Sequence, residues 1–303
     1  MKPTYAEIMA AATDSEKKLA PANAQDTVLE FLYVVPDPQN TGDIKKISLP
    51  EIEQMFHIHF TNTLWAPECI LEQTQETRAR RKSKNNATCD YEAFMLVNMG
   101  EYGYGLFAKK DIPANTFLFH YTGEYSGTSK KGDDTYKMDI ADSIFGWKKE
   151  ALNYDQLNPP LTFDFEQHGT IDALHYRNLA AFMQHLPSPY QLKYNFPDLD
   201  NETKMHVATA NATMSKECDY IQGLACRAIH TLTAIPAGAI IGIDYGWRNA
   251  AHQLCLFDKQ GNNISPKTTH NAHNRFRFKF GLTQSSDVTA PEPITAHTLG
   301  AGF

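Results

Sequence analysis

The sequence predicts a mainly β protein with short helices, an α+β chain in which a small N-terminal α/β module precedes a β-rich domain. Three observations carry this. From about residue 94 the chain turns to short apolar runs broken by Gly, Pro and Asn, the texture of short strands. Two near copies of one turn, Ile112-Pro113-Ala114-Asn115 and Ile235-Pro236-Ala237-Gly238, each sit between strand-like segments. A firm helix signature lies upstream, where Ser48 and Glu51 form a capping box ahead of apolar residues at helical spacing.

In chain order, the first 20 residues carry a weak helical pattern (Tyr5, Ile8, Met9, Ala12). TVLEFLYVV reads as a strand stopped by Pro36, with a turn-rich stretch behind it. The helix opened by Ser48 tolerates Pro50 in its first turn and presents Ile52, Met55, Phe56 and Phe60. Residues 76–87, with five basic side chains between Arg78 and Lys84, read as a solvated linker; a nuclear-localisation or anionic-surface role is the alternative. In both copied turns Pro presets φ, and Asn115 or Gly238 takes the left-handed conformation two residues later. GLFAKKD and TFLFHYTGE flank the first turn, LACRAIHTLTA and AIIGIDYG the second, so each unit delivers a tyrosine, Tyr121 or Tyr245, to a strand end. The domain order expected is 1–88 for the module and linker, 89–250 for the main domain, 251–282 for a closing segment and 283–303 for a disordered tail.

Composition narrows the function classes. With 303 residues, 42% hydrophobic and 21% charged, the chain can bury a core and is not wholesale disordered. No run approaches the roughly 18 apolar residues of a membrane-spanning helix, and the N-terminus lacks a signal-peptide core. The net charge of −7 disfavours a nucleic-acid-coating protein and suits basic partners. Five scattered cysteines without CxC or CxxC make neither a disulfide framework nor a zinc ribbon, which points to free thiols in a reducing, cytoplasmic compartment.

Singly, the chemical motifs are weak. Tyr102-Gly103-Tyr104-Gly105 allows close approach of backbone to a ligand, but the third glycine of a dinucleotide fingerprint is absent and turn glycines are the plain alternative. Asn178 to His185, NLAAFMQH, suggests one or two helical turns ending at Gln184 and His185; His185 alone reads as a structural histidine. Tyr245 alone, in IDYG, reads as packing. His57-x-His59 and His270-x-x-His273 read as surface or structural histidines.

Order and spacing give more. GYGLFAKKDIPANTFLFHYTGEY, then YKMDI, then IDA-x5-LAAFMQH, then AIHTLTAIPAGAIIGIDYG resembles the SET-domain protein lysine methyltransferases over about residues 95–247. That family runs GxG, DIPxG and YxGE, then GNxxRFxNHSCxPN and xxIxxGEELxxDYG, the last two blocks threading into a pseudoknot. The resemblance implies a SET-type β fold. It implies S-adenosyl-L-methionine held along Gly103, Tyr104 and Gly105 and by Asn178, Phe182, Gln184 and His185. Tyr245 matches the active-site tyrosine, and Tyr121 and Tyr136 match pocket tyrosines. No metal is implied.

The departures concern the same blocks. Gln184 stands for Asn, Ala181 for Arg, Leu186-Pro187 for Ser-Cys, Arg177 for Gly and Ala239 for the second-block Glu. No cysteine-rich zinc segment follows Gly246, so another element must close the site. Trp247 and Arg275 to Phe280, RFRFKF, are the expected closure; an amphipathic edge strand is the alternative, and RNA binding there is disfavoured by the net acidity.

The implied activity is methyl transfer to a protein lysine, with a histone tail or another basic protein as partner. The alternative is a catalytically inactive SET-fold protein-binding module. The composition also suits a bacterial effector working in a host cytosol or nucleus. A lysine amine must be neutral to attack, and its ordinary pKa is ~10.4. A narrow apolar channel beside a sulfonium lowers that value, and tyrosine hydroxyls align the amine.

Overall fold

The computed structural model describes residues 17–19, 29–37, 43–67, 89–126, 137–139, 170–215, 219–221, 224–245 and 255–265. The helical pattern at Tyr5–Ala12, the basic stretch 78–84, Tyr136, Gly246, Trp247, His270, His273, Arg275–Phe280 and the 283–303 tail lie outside them. Within the first 20 residues the described piece, Lys17–Leu19, is a strand rather than helix.

Strands dominate, as the alternation of apolar runs and turns predicts. Phe31–Val35 pairs antiparallel with Lys45–Ser48 and parallel with Phe94–Asn98, which pairs antiparallel with Tyr104–Ala108. The strand carrying Gly105 is thus one edge of a four-stranded sheet, with Gly103 in the turn before it. Leu32, Val34, Leu96 and Leu106 are at most 2% exposed, so one face of that sheet is core. On the strand Phe31–Val35 the alternate residues carry cations instead, with Lys46 over the Phe31 ring and Lys109 over Tyr33 at 3.3 and 3.6 Å.

The predicted helix is Leu49–Phe56, with the Ser48 backbone N–H donating to Glu51 Oε2 at 3.0 Å. It stops earlier than the apolar spacing suggested. His57 takes φ 51°, its N–H bonds the Gln54 carbonyl, and Phe60 leaves the helix for a short strand parallel to Tyr176–Arg177. Glu53 stabilises that exit by accepting the Phe60 N–H at 2.8 Å. Local periodicity lost here to a tertiary strand partner.

A five-stranded sheet runs Lys17–Leu19, Trp65–Pro67, Glu124–Ser126, Thr170–Asp172, Lys137–Asp139. Strands from both sides of residue 88 therefore share three sheets, and the N-terminal segment is built into the main domain rather than packed apart from it. Gly123 sits at the entry to the strand Glu124–Ser126, where a Cβ would lie 2.4 Å from the Asp172 carbonyl oxygen. Gly123→Ala is expected to cost about 1–3 kcal/mol of stability, measured as a lowered urea midpoint.

The two copied turns face each other. Asn115 and Gly238 take φ 58° and 81°, and Ile112 and Ile235 exchange N–H···O bonds of 2.8 Å in both directions. Ala108 donates to the Ala239 carbonyl and accepts from Gly238, which locks the first unit's incoming strand onto the second turn. Ala239 is 6% exposed at this junction, so a carboxylate there would be desolvated. The second unit's outgoing run is less regular than predicted: only Gly242–Ile243 forms a strand, with a single bridge at Ile240. One core cluster, including Leu96, Leu106, Leu118, Ile171, Leu179 and Ile229, joins both units.

Candidate active site

The glycine pair is held from two directions. Asn98 donates to the Pro36 carbonyl and accepts the Gly100 N–H, and Met99 N–H bonds the Gly103 carbonyl at 2.7 Å, closing a tight turn before the strand Tyr104–Ala108. Gly103 adopts φ 75°, and a Cβ there would point into open space. Gly105 is the opposite case, since its Cβ would lie 2.5 Å from Met99 Sδ. The Tyr104 ring meets Phe56 edge to face at 5.0 Å, and Phe56 meets Phe182 at the same distance, so the capped helix reaches into this region. Burial pushes the Tyr104 phenol above its ordinary pKa.

The second segment begins at Asn178, which is 1% exposed. Its Oδ1 accepts the Ala180 N–H and opens the short 3-10 helix Leu179–Phe182, while its Nδ2 donates to the His120 carbonyl at 2.9 Å. Its buried amide ties this helix to the residue before Tyr121. Arg177 is also buried, with its guanidinium 5.7 Å from the Phe182 ring centre. Leu186, in place of the customary serine, is fully buried.

After the 3-10 helix, Gln184–His185 forms a strand parallel to Gly242–Ile243, with Leu186 N–H donating to the Ile243 carbonyl. Gln184 Nε2 donates to the Tyr104 carbonyl at 3.3 Å, and its Cγ lies 3.6 Å from where a Gly105 Cβ would be. The longer amide thus still reaches the glycine strand. Tyr245 closes the arrangement: its N–H donates to His185 Nδ1 at 3.0 Å and its hydroxyl donates to the Met183 carbonyl at 2.6 Å. Gln191 Nε2 holds Asp244 Oδ1 at 2.7 Å. Tyr121 is 7% exposed, its N–H bonded to the Arg227 carbonyl. Tyr121, Phe182, Met183 and Ile243 belong to one core, and Tyr104 and Tyr245 pack against it.

Sequence reasoning missed the Met183 carbonyl, Phe56, Asn211 and Gln191. Asn211 clamps the strand Gly242–Ile243 by accepting the Gly242 N–H and donating to the Ile240 carbonyl. Gln191 was within reach of sequence reasoning, because Ser188 and Gln191 form a second capping box with Pro189 behind its cap. A backbone acceptor such as Met183 leaves no residue-type signal.

His185 is pushed down to about 4 by burial, with Asp244 opposing part of the shift. Its unfolded counterpart protonates first as pH falls below 6.5. The His185 contribution is therefore flat above that value, declines between pH 6.5 and 4, and levels off below, a loss of about 3 kcal/mol at 1.4 kcal/mol per unit. His185→Gln keeps an acceptor for Tyr245 and is expected to flatten this acid limb in urea melts at pH 7 and 4.5. An equally steep limb in the variant would assign it to other groups.

Among the described residues no three His, Cys, Asp or Glu side chains gather as a metal site would require, and no helix is long and apolar enough to cross a membrane. His57 caps a helix and His59 stacks on Tyr176. Cys89, Cys226 and Cys255 are free thiols.

Comparison with known proteins gives one family match, the SET domain, over residues 103–246. No curated protein matches the chain in sequence. Similar solved structures include ATXR5 in complex with histone H3.1 mono-methylated on R26, at 15% identity over 75% of this chain and 99% of that one, TM-score 0.41. The Neurospora histone lysine methyltransferase DIM-5 is 16% identical over 56% of this chain and 55% of its own, TM-score 0.32. KRYPTONITE, solved with mCHH DNA, an H3(1-15) peptide and SAH, is 15% identical over 52% of this chain, TM-score 0.32. The chain spans only 24% of the KRYPTONITE chain.

Proposed function

From the match of residues 103–246 to the SET domain we propose that this chain is a SET-domain protein and an S-adenosyl-L-methionine-dependent protein-lysine N-methyltransferase. The observation that carries this reading is the meeting of three segments far apart in sequence. Gln184 touches the Tyr104 carbonyl, and Tyr245 is bonded to both His185 and Met183.

The residues suit the cofactor. Gly103 leaves open space where any other residue would project a side chain, and the Tyr104 and Phe182 rings stand beside the same strand and helix. When bound, S-adenosyl-L-methionine supplies a methyl group on a sulfonium. The Tyr245 proton is committed to the Met183 carbonyl, so the phenol oxygen presents lone pairs that accept from an amine and align it. Buried Tyr121, Phe182 and Met183 provide an apolar wall that disfavours the ammonium form of the incoming lysine. Tyr136, beyond the described residues, completes the channel in this reading. Asn178 acts through the backbone of His120 and is a positioning residue.

With 35 acidic against 28 basic residues, the partner of choice is a basic segment such as a histone tail. The test is transfer of labelled methyl from S-adenosyl-L-methionine to core histones and to a cell lysate, followed by site mapping. Label on lysine is expected; cofactor binding without any transfer would favour the binding-module reading. That second reading draws on the sequence departures, Gln184 in place of the family's shorter Asn and no cysteine-rich run directly after Gly246. Absence of cofactor binding would remove the enzyme reading.

A further inference from the structure

Residues 247–303 hold a single cysteine, Cys255, where the family's last block is followed by a cysteine-rich segment, yet residues 255–265 return to the glycine loop. They form a compact hairpin. Asp258 Oδ1 accepts the N–H groups of Gln260 and Asn262, Gly261 turns at φ 82°, and Phe257 bridges Asn263. Backbone bonds fix the hairpin to the domain: Ile240 N–H donates to the Lys259 carbonyl at 2.9 Å and Ala208 N–H to the Phe257 carbonyl at 2.7 Å.

Its tip rests on the back of the glycine loop. A Cβ at Gly261 would lie 2.5 Å from Phe107 Cζ and 3.5 Å from Met99 Cε; a Cβ at Gly105 would lie 2.5 Å from Met99 Sδ and 3.1 Å from Phe107 Cε2. The two glycines therefore press on the same two side chains, Met99 and Phe107. Beside them Tyr102 meets the Phe257 ring edge to face at 5.3 Å, and Asn263 Nδ2 donates to the Tyr102 hydroxyl. The turn Gly100–Tyr102, which sets the conformation of Gly103, is thus held on one flank by Asn98 and on the other by the hairpin.

From this we infer that the hairpin 255–265 is a metal-free positioning element for the glycine loop, with Asn263 and Gly261 setting how tightly that loop is preorganised for its ligand. The inference rests on the methyltransferase reading for the identity of that ligand, S-adenosyl-L-methionine, and on geometry alone for the coupling. Tightening a binding loop before the ligand arrives raises affinity by lowering the ordering cost.

Asn263→Ala is the primary test and Tyr102→Phe the second, because the latter keeps the ring against Phe257 and leaves the hairpin's own bonds intact. Amide hydrogen exchange at residues 99–105 in ligand-free protein is expected to quicken about fivefold in both, the size of one neutral hydrogen bond. The Kd for S-adenosylhomocysteine by calorimetry should weaken by a similar factor, and KM for S-adenosyl-L-methionine should rise while kcat holds. Unchanged exchange at 99–105 in both folded variants overturns the coupling. If the unmodified protein binds no cofactor, the functional reading falls while the exchange measurement still decides the structural one.

Discussion

Tyr245→Phe is expected to remove methyl transfer while leaving the fold in place. The variant keeps the backbone N–H that bonds His185 Nδ1 and the ring that packs 5.6 Å from the His185 ring. What it loses is the hydroxyl bonded to the Met183 carbonyl, which in the proposed methyltransferase reading accepts from the incoming amine. The stability cost is that of one hydrogen bond, about 1 kcal/mol. The catalytic cost is larger, because an amine without its acceptor no longer lies in line with the methyl carbon, and misalignment of reacting atoms costs about a hundredfold. Turnover, cofactor affinity and the urea midpoint measured on one preparation separate these effects. Loss of turnover with both other quantities preserved is the expected pattern; unchanged turnover would take Tyr245 out of the reaction.

The candidate site was legible in the sequence where the chemistry needs a residue type and illegible where it needs a backbone. Gly103, Gly105, Gln184, His185 and Tyr245 are weak signals singly and stand out because their blocks, in order, resemble those of the SET family; the structure brings their segments together. The copied turns were readable because Pro followed two residues later by Asn or Gly has a physical reading before any tertiary contact exists. The opposition of those turns, the Met183 carbonyl and the clamping of Gly242 by Asn211 are contacts between backbone groups or across long separations, which periodicity does not record. Phe60 shows the converse error. Its helical spacing was real, but parallel pairing beside Arg177 and the Glu53 carboxylate outweighed it. The buried hydrogen bonds of Asn178 to the His120 carbonyl and the Ala180 N–H likewise leave no trace in the spacing of the motif.

The same backbone logic makes Gly242→Ala a damaging substitution at the site itself. Gly242 lies opposite Gln184 in the parallel pairing, where a Cβ would stand 2.5 Å from the Gln184 carbonyl oxygen and 2.4 Å from Leu186 Cγ. Leu186 is fully buried and the carbonyl is main chain, so neither can swing aside as a surface side chain would. Relief requires the strand Gln184–His185 to move away, which withdraws Gln184 from Tyr104 and His185 from Tyr245 together. Overpacking of this kind costs about 3 kcal/mol, and in a domain of this size that lowers Tm by roughly 6–12 °C. Cofactor affinity should fall in the same variant, since one displacement breaks both links. Gly238→Ala is the matched control: it strains a left-handed turn at φ 81° but meets nothing within 4 Å, so it should cost stability and leave affinity unchanged. Equal loss of affinity in both variants would mean that general destabilisation, and not the parallel pairing of 184–185 with 242–243, governs the site.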